Sequence, residues 1–197
     1  MTAEPIPTTP EVTARVVAGA LRAIARFGLA KLTADDVARE AGISRATLYR
    51  YFPGRAAVLA AVVEAETERL QHGLDDALGE TTTLAGALTA VAGYGARAFA
   101  GHEALQHLLA TEPGAVLPHL CFTGADSLLR VLADRIAPHL CRFMGPLEAR
   151  RTGEWLARIV LSYGLAPPAN GEAEAEVVGV VRDFVITRKR PEDDPVA

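Results

Sequence analysis

The chain has 197 residues, half of them apolar, which is enough for a sizeable core and excludes a wholly disordered protein. No apolar run is long enough to span a bilayer, and the first eleven residues lack the basic and apolar blocks of a signal peptide, so we expect a cytoplasmic protein without a membrane segment. The net charge of -4 is uneven, because residues 1–60 carry eight basic side chains against five acidic ones, which favours a polyanionic partner for the N-terminal part.

The chain begins with two predicted helices. Apolar residues at helical spacing predict the first over residues 12–27, and Gly28 is placed to end it in the left-handed conformation. Thr33 then opens the second helix, with Asp36 three residues later as the partner in a capping box.

Two further helices follow closely. A break at Gly42 precedes a short third helix from about Ser44 to Phe52. Pro53 and Gly54 then start a fourth helix that continues to about His72.

The second and third helices have the spacing of a helix-turn-helix. Ala38 is the small residue where the two helices touch, Gly42 follows four residues later, and Leu48 follows ten residues after Ala38. This pattern predicts that the third helix enters the major groove of DNA. The alternative is an ordinary helical hairpin with solvated arginines.

The third helix is decorated on its outer side. With Leu48 at the centre of the buried face, a step of 100° per residue places Phe52 beside it. Guanidinium, hydroxyl and phenol groups lie on the remaining arc, and these groups suit phosphates and base edges. The outward residues are Arg45, Ala46, Thr47, Tyr49, Arg50 and Tyr51.

The stretch "ARFGLAKLTADDVAREAGISRATLYRYFPGRAAVLAAVVE" resembles the N-terminal domain of TetR/AcrR-family transcriptional regulators. The resemblance implies an all-α fold, with a three-helix helix-turn-helix domain followed by a helical ligand-binding and dimerisation domain. It also implies a homodimer that binds a palindromic or near-palindromic double-stranded DNA operator, most often as a repressor that a small-molecule effector releases. No cofactor is implied.

The resemblance implies DNA contacts at particular positions of this sequence. They are Thr33, Ser44, Arg45, Ala46, Thr47, Tyr49 and Tyr51. Arg55 takes the place of a lysine that grips a phosphate, and Tyr51 stands where histidine is frequent. Asp35 occupies a position where some members carry a base-reading arginine, so that contact is not expected here.

The domain organisation follows from the same reasoning. We expect a disordered segment over residues 1–10, the DNA-binding domain over 11–56, the helical ligand-binding and dimerisation domain over 57–188, and a frayed tail over 189–197. Helices within the larger domain are predicted over 83–100, 103–111, 115–140, 147–164 and 173–188.

A mostly apolar pocket with a few orienting polar groups is predicted inside the larger domain. Its candidate lining residues are Tyr94, Phe99, His102, His107, Cys121 and Phe122. Plain core or surface placement is the alternative for each. His102 and His107 are five residues apart and would not share a helix face, so no metal site is predicted.

Two late apolar segments are candidates for the dimer interface. Their stripes are Trp155, Leu156, Ile159, Val160, Tyr163, Val177, Val181, Phe184 and Val185. The family resemblance favours pairing of these helices between two chains, and completion of a monomer core is the alternative.

We therefore predict a DNA-binding transcriptional repressor controlled by a small, hydrophobic ligand. The chain has no nucleophile elbow, phosphate-binding glycine loop or convincing acid–base pair, so an enzyme is not predicted. One alternative is regulation by a protein partner. Another is redox chemistry of Cys121 and Cys141, although two cysteines are more typical of small buried hydrophobic residues.

Overall fold

A computed structural model describes residues 9–79, 81–121, 128–169 and 171–187. The regular elements of these residues are all helices, and the all-α prediction is confirmed. The helices are α1 (Thr9–Phe27), α2 (Ala34–Ala41), α3 (Arg45–Tyr51), α4 (Arg55–Gly79), α5 (Leu84–Ala100), α6 (Glu103–Thr111), α7 (Pro113–Cys121), α8 (Leu128–Leu140), α9 (Pro146–Leu165) and α10 (Ala173–Thr187).

Three helices differ from the prediction, and the first of them, α1, begins at Thr9 instead of residue 12. Helix α4 continues to Gly79 instead of ending near residue 72, because Leu74 and Leu78, four residues apart, are 2% and 0% exposed and bury one face of the extension. The predicted helix over 115–140 corresponds to α7 and α8, and the residues between these two helices lie outside the described ones. Residues 1–8 of the predicted disordered start and the predicted frayed tail lie outside the described residues, whereas Thr9 and Pro10 belong to α1 and correct that prediction.

The chain divides into two compact units. The head unit comprises residues up to 69 together with 102–116, and the body unit comprises 70–101 and the residues from 117 onwards. The head unit therefore contains α6 in addition to the predicted helix-turn-helix. The functional boundary at residues 56/57 stays a prediction.

The head unit packs its short helices around α1. Val16 and Ala20 of α1 are fully buried in the same core as Leu48 of α3. Helix α2 crosses α1 at Gly19, where an added Cβ atom would lie 2.6 Å from the backbone nitrogen of Ala41. Only glycine permits this approach of the two backbones.

The body unit packs longer helices on one another. Leu156 of α9 and Val177 and Val181 of α10 are 0% exposed. Helices α8 and α9 approach closely at Gly153, where a Cβ atom would lie 3.1 Å from the carbonyl oxygen of Ala133. These residues of the core are buried within one chain.

Three observations concern membrane, metal and thiol chemistry. Within the described ranges, no helix combines the length and apolarity needed to cross a membrane. Among the same residues, no three His, Cys, Asp or Glu side chains are grouped so that they could hold a metal ion. Cys141 is exposed, which corrects the expectation that it is buried, because it lies in the turn that follows α8. The side chain of Cys121 lies outside the described part.

Candidate nucleic-acid interface

The turn between α2 and α3 is built around Gly42, whose φ of 63° lies in the left-handed region that favours glycine. Its N–H donates to the carbonyl oxygens of Ala38 and Arg39 in the last turn of α2. Arg15 of α1 donates to the carbonyl oxygens of Ala41, at 3.2 Å, and Gly42, at 2.5 Å. These bonds satisfy carbonyls that the end of α2 leaves unpaired, so α1 fixes the turn from which α3 starts.

Helix α3 turns one face to the core of the head unit and the other to solvent. Leu48 is 1% exposed, and Phe52, directly after the helix, is 8% exposed. The exposed side chains are those of Arg45, Ala46, Tyr49 and Arg50, and those of Thr47 and Tyr51 are half-buried. This distribution agrees with the predicted orientation of the helix. We call the six outward residues, 45–47 and 49–51, the recognition surface.

Two hydroxyl residues begin the helices of the motif. The Ser44 hydroxyl accepts a hydrogen bond from the Thr47 backbone N–H at 3.0 Å, and the two hydroxyl oxygens are 2.8 Å apart. These contacts start α3, which is the role that an N-cap serine has in general.

Thr33 and Asp36 form the predicted capping box at the start of α2. The Thr33 hydroxyl accepts from the Asp36 N–H at 3.1 Å and donates to the Asp36 carboxylate at 2.5 Å. This hydrogen bond is the main cause that lowers the pKa of Asp36 below its ordinary value. Because the Thr33 hydroxyl hydrogen is committed to Asp36, a contact with phosphate requires the hydroxyl to turn away from it.

The guanidinium of Arg45 lies between a carboxylate and an aromatic ring. Its Nε is 3.2 Å from Asp35 Oδ1, and its Nη1 donates to Asp35 Oδ2 at 3.3 Å. The guanidinium carbon of Arg45 lies 5.5 Å from the centre of the Tyr49 ring, within the range of a cation–π contact. A hydrogen bond with Tyr49 and the charge of Asp35 raise the pKa of Arg45. Arg45 is therefore the most restrained cation of the recognition surface.

Two more arginines extend the cationic surface. Arg50 places its guanidinium carbon 5.0 Å from the centre of the Tyr51 ring. Arg55, the first residue of α4, donates to the carbonyl oxygen of Leu29 at 2.5 Å and is exposed. That contact uses one of the five N–H groups of a guanidinium, which leaves the side chain able to donate to a phosphate.

Sequence reasoning missed three residues of this region. Lys31 is exposed two positions before Thr33, and its place in the loop between two predicted helices was the available signal. Asp35 was interpreted only as a lost arginine contact, because its pairing with Arg45 depends on how α2 and α3 cross. Arg15 was missed because no local pattern relates it to a turn 26 residues away.

The histidines predicted for a ligand pocket belong to the head unit. His102 begins α6, where its Nδ1 accepts from the Leu105 N–H at 3.1 Å and its Nε2 lies 3.2 Å from Glu66 Oε2. The hydrogen bond from His102 lowers the pKa of Glu66. His107 is half-buried in α6. The two residues are thus on a helix that packs against α1.

The aromatic pocket candidates belong to the body unit. Tyr94 donates its hydroxyl to the Leu70 carbonyl oxygen at 3.2 Å, and its ring lies against Gly73. Phe99 is 7% exposed and its ring packs on Gly164. Cys121 and Phe122 bear on the same prediction, but their side chains lie outside the described residues. Of the four described candidates, two belong to each unit, and the pocket stays a prediction.

The candidates for the dimer interface fall into two groups. Leu156, Val160, Val177 and Val181 are buried within one chain. Trp155, Ile159 and Tyr163 are half-buried and Phe184 is 37% exposed, while the side chain of Val185 lies outside the described part. The Trp155 and Phe184 rings stack with their centres 4.2 Å apart. Among the candidates whose side chains the structure describes, the second group leaves apolar surface exposed.

Comparison with known proteins gives the same assignment. Residues 16–62 match the family model described as bacterial regulatory proteins, tetR family. The HTH-type transcriptional regulator EthR of Mycolicibacterium smegmatis is 36% identical over 72 residues, which are 36% of this chain and 33% of EthR. The chain thus matches only about a third of that relative. An uncharacterized HTH-type transcriptional regulator of Mycobacterium tuberculosis is 26% identical over 172 residues, 87% of this chain and 82% of the relative.

A solved structure extends the likeness to the fold. The TetR family repressor AlkX from a Dietzia strain has a TM-score of 0.64 and 20% identity, over 90% of this chain and 95% of AlkX. The family model, both relatives and AlkX are described as regulators. The helix-turn-helix sequence and these matches identify residues 16–62 as a DNA-binding domain of the tetR family of regulatory proteins, and the likeness to AlkX shows the fold of the chain.

Proposed function

We propose that the protein is a homodimeric repressor that binds a palindromic or near-palindromic operator and leaves it when a small hydrophobic ligand binds. The observation that carries the proposal is the recognition surface. Leu48 holds its helix on the core while two arginines and a tyrosine face solvent on the opposite side. This division is what a major-groove reading helix needs.

The residues proposed to contact DNA have different tasks. Arg45 can donate two hydrogen bonds to a guanine edge, a contact that discriminates among bases by ~1–3 kcal/mol. Ala46 lets the backbone approach the groove, where its methyl can meet a thymine. Arg55, with Thr33 and Lys31 at the start of α2, is proposed to contact phosphates, which fix the register of the helix without reading sequence.

Dimerisation doubles the reading surface, because one seven-residue helix reaches only a few base pairs. The partly exposed apolar group of α9 and α10, centred on the Trp155 and Phe184 stack, is proposed as the contact. Two heads held by such a contact demand half-sites about 34 Å apart, or a multiple of one helical turn. The name of AlkX as a repressor supports this type of regulation.

Ligand control is a matter of differential binding. Moving a dimer from 99% to 1% DNA-competent takes ~5.5 kcal/mol, so a preference of about 3 kcal/mol for one state at each of two pockets suffices. The predicted aromatic and apolar residues of the larger domain support a hydrophobic effector in the proposal. If no small molecule altered affinity for the operator, this part of the proposal would be wrong and a protein partner would take its place.

Selection of bound sequences from a random DNA pool tests DNA recognition. We expect one enriched, two-fold-related sequence. Arg45→Ala should then lose the preference at particular base pairs, while Arg55→Ala should weaken binding to every sequence and lower the slope of log K against log salt by about one. Arg158→Ala, on α9 of the body unit, removes an equally exposed charge and should change neither property. If all three variants had the same base preference and the same salt dependence, the assignment of Arg45 and Arg55 to the DNA interface would be wrong.

Sedimentation of a matched pair of variants tests the dimer. Phe184→Glu replaces the stacked, exposed ring with a charged side chain and should give a monomer with much weaker operator binding. Leu147→Glu places the same charge on α9 at a side chain that is 66% exposed, outside the proposed contact, and should remain a dimer. A dimeric Phe184→Glu variant would show that the contact lies elsewhere.

A further inference from the structure

One carboxylate in the cationic surface of the head unit lies outside the capping box of α2 and pairs with an arginine of α3. Asp36 caps α2 through Thr33 and pairs with Arg39 at 2.5 Å. Its neighbour Asp35 takes no part in the capping box, and the partner that the structure gives it is Arg45, across the turn on α3. Adjacent aspartates of the same helix turn thus have different partners.

The pair of Asp35 and Arg45 contributes little to folding. Both side chains are exposed, by 61% and 62% respectively. Ion pairs at such positions add almost nothing to stability, because water screens the charges and two side chains lose freedom. A carboxylate beside the predicted groove also repels the phosphates of DNA. A role in how Arg45 meets DNA accounts for both facts.

We propose that Asp35 is a specificity-determining residue that positions the Arg45 guanidinium for a base edge and disfavours its use on phosphate. This inference rests on the proposed function of DNA recognition. It concerns a residue that does not have to touch a base, because it acts through the arginine that does.

The geometry gives the mechanism. Asp35 holds Nε and Nη1 from one side and the Tyr49 ring lies against the guanidinium, so the arginine is restrained before DNA arrives. The remaining N–H groups of Arg45 can donate to a guanine edge while the pair is intact. On other sequences Arg45 would reach for a phosphate, which breaks the pair and leaves the Asp35 carboxylate facing the anionic backbone. Asp35 therefore weakens binding to other sequences more than it weakens binding to the operator.

The test compares wild type and Asp35→Asn, which keeps the shape and removes the charge. Operators are first selected with the wild-type protein, and each half-site position is then varied. For Asp35→Asn we expect affinity for random duplex DNA to rise and the ratio of specific to random binding to fall roughly three- to tenfold. The loss should concentrate at the one base pair per half-site whose preference Arg45→Ala also abolishes. Circular dichroism should show the same helix content, since Asp35 is outside the capping box.

The matched control is Asp134→Asn, which removes the carboxylate of an exposed Arg–Asp pair on α8 of the body unit. It makes the same change in net charge and should leave the binding ratio unaltered. If Asp134→Asn lowered the ratio as much as Asp35→Asn, general charge would be the cause and the inference would be wrong.

The double variant Asp35→Asn with Arg45→Ala separates positioning from direct contact. If Asp35 acts through Arg45, adding Asp35→Asn to Arg45→Ala should not change base preference further. A further change would mean that Asp35 reads DNA itself, which overturns the inference, as would an unchanged ratio in Asp35→Asn alone. If the wild-type protein selects no sequence at all, the proposed function fails and the inference fails with it.

Discussion

The head unit and the body unit hold their helices together in different ways. In the head unit, polar groups fix short helices at their ends: the Thr33 capping box, the Ser44 cap, and the bonds from Arg15 to the carbonyls that end α2. In the body unit, glycines let long helices approach closely, as at Gly153 and at Gly95, which packs on Val160. Both units have an apolar core, but the short helices of the head unit also depend on directional bonds at their ends, whereas the long helices of the body unit depend mainly on apolar packing.

This difference explains what each unit can do. Directional bonds fix a helix of seven residues that is too short to be stable alone, and they fix it in one orientation. Apolar packing tolerates many substitutions that conserve volume, so the side chains of such a core can be arranged in more than one way with similar stability. A DNA-reading domain requires helices that are fixed in one orientation. The proposed ligand-responsive domain gains from packing that tolerates rearrangement.

Removal of a large buried side chain from each unit tests whether the two cores are separate. Leu48→Ala and Leu156→Ala should each cost ~2–5 kcal/mol of unfolding free energy, because both side chains are almost fully buried. Hydrogen exchange should rise across α3 in the first variant and across α9 in the second. The single tryptophan, Trp155, lies in the body unit, so its fluorescence should report only the second loss directly. Equal exchange in both units for both variants would contradict the comparison.

Glycine substitutions sharpen the same contrast at a smaller scale. Gly42→Ala should destabilise the head unit by ~1–2 kcal/mol, because its φ of 63° strains any residue with a Cβ atom. Gly179→Ala, inside α10 with open space around the added methyl, should instead stabilise the body unit by ~0.5–1 kcal/mol. Thermal unfolding of both variants measures whether each substitution lowers or raises the stability of the protein. A stabilising Gly42→Ala would show that the turn does not need glycine.

The helices of the head unit were predictable because their signals are local. Gly28 and Gly42 both have positive φ, and Thr33 and Asp36 form the predicted box. The face of α3 followed from one buried residue, Leu48, and the period of a helix. The contacts that relate one helix to another, such as Asp35 with Arg45, were not predictable, since they depend on a crossing angle that no local pattern encodes.

The body unit was predictable in helix position but not in the placement of single residues. Helices α5, α9 and α10 lie within a residue or so of the predicted spans, since glycine, proline and threonine mark their ends. Leu156 and Val181, however, share an apolar stripe with Trp155 and Phe184, and periodicity alone could not separate side chains buried within one chain from exposed ones. That separation depends on which helices pack on either side.

The smallest expected effect concerns acid and a group of directional bonds between α4 and α8 of the body unit. Asp75 of α4 accepts from Arg135 and lies 3.0 Å from Nε2 of His139, both on α8. Burial is the largest single influence and opposes ionisation of Asp75, but the hydrogen bonds from Arg135 and His139 together outweigh it and lower the pKa of the carboxyl. Because the pKa in the folded state is then below that in the unfolded state, this contact stabilises the body unit above about pH 4 and is lost as the pH falls further.

Asp75→Asn should therefore lower the urea midpoint of the body unit slightly at pH 7 and flatten its decline below pH 4. Trp155 fluorescence measures this midpoint within the unit that contains the contact. Asp76→Asn, at the exposed neighbouring position, is the matched control and should keep the decline of the wild type. If Asp75→Asn declined in acid as steeply as Asp76→Asn, the bonds between α4 and α8 would contribute nothing measurable. Apolar packing would then account for the body unit alone, and the contrast with the head unit would be sharper than these bonds suggest.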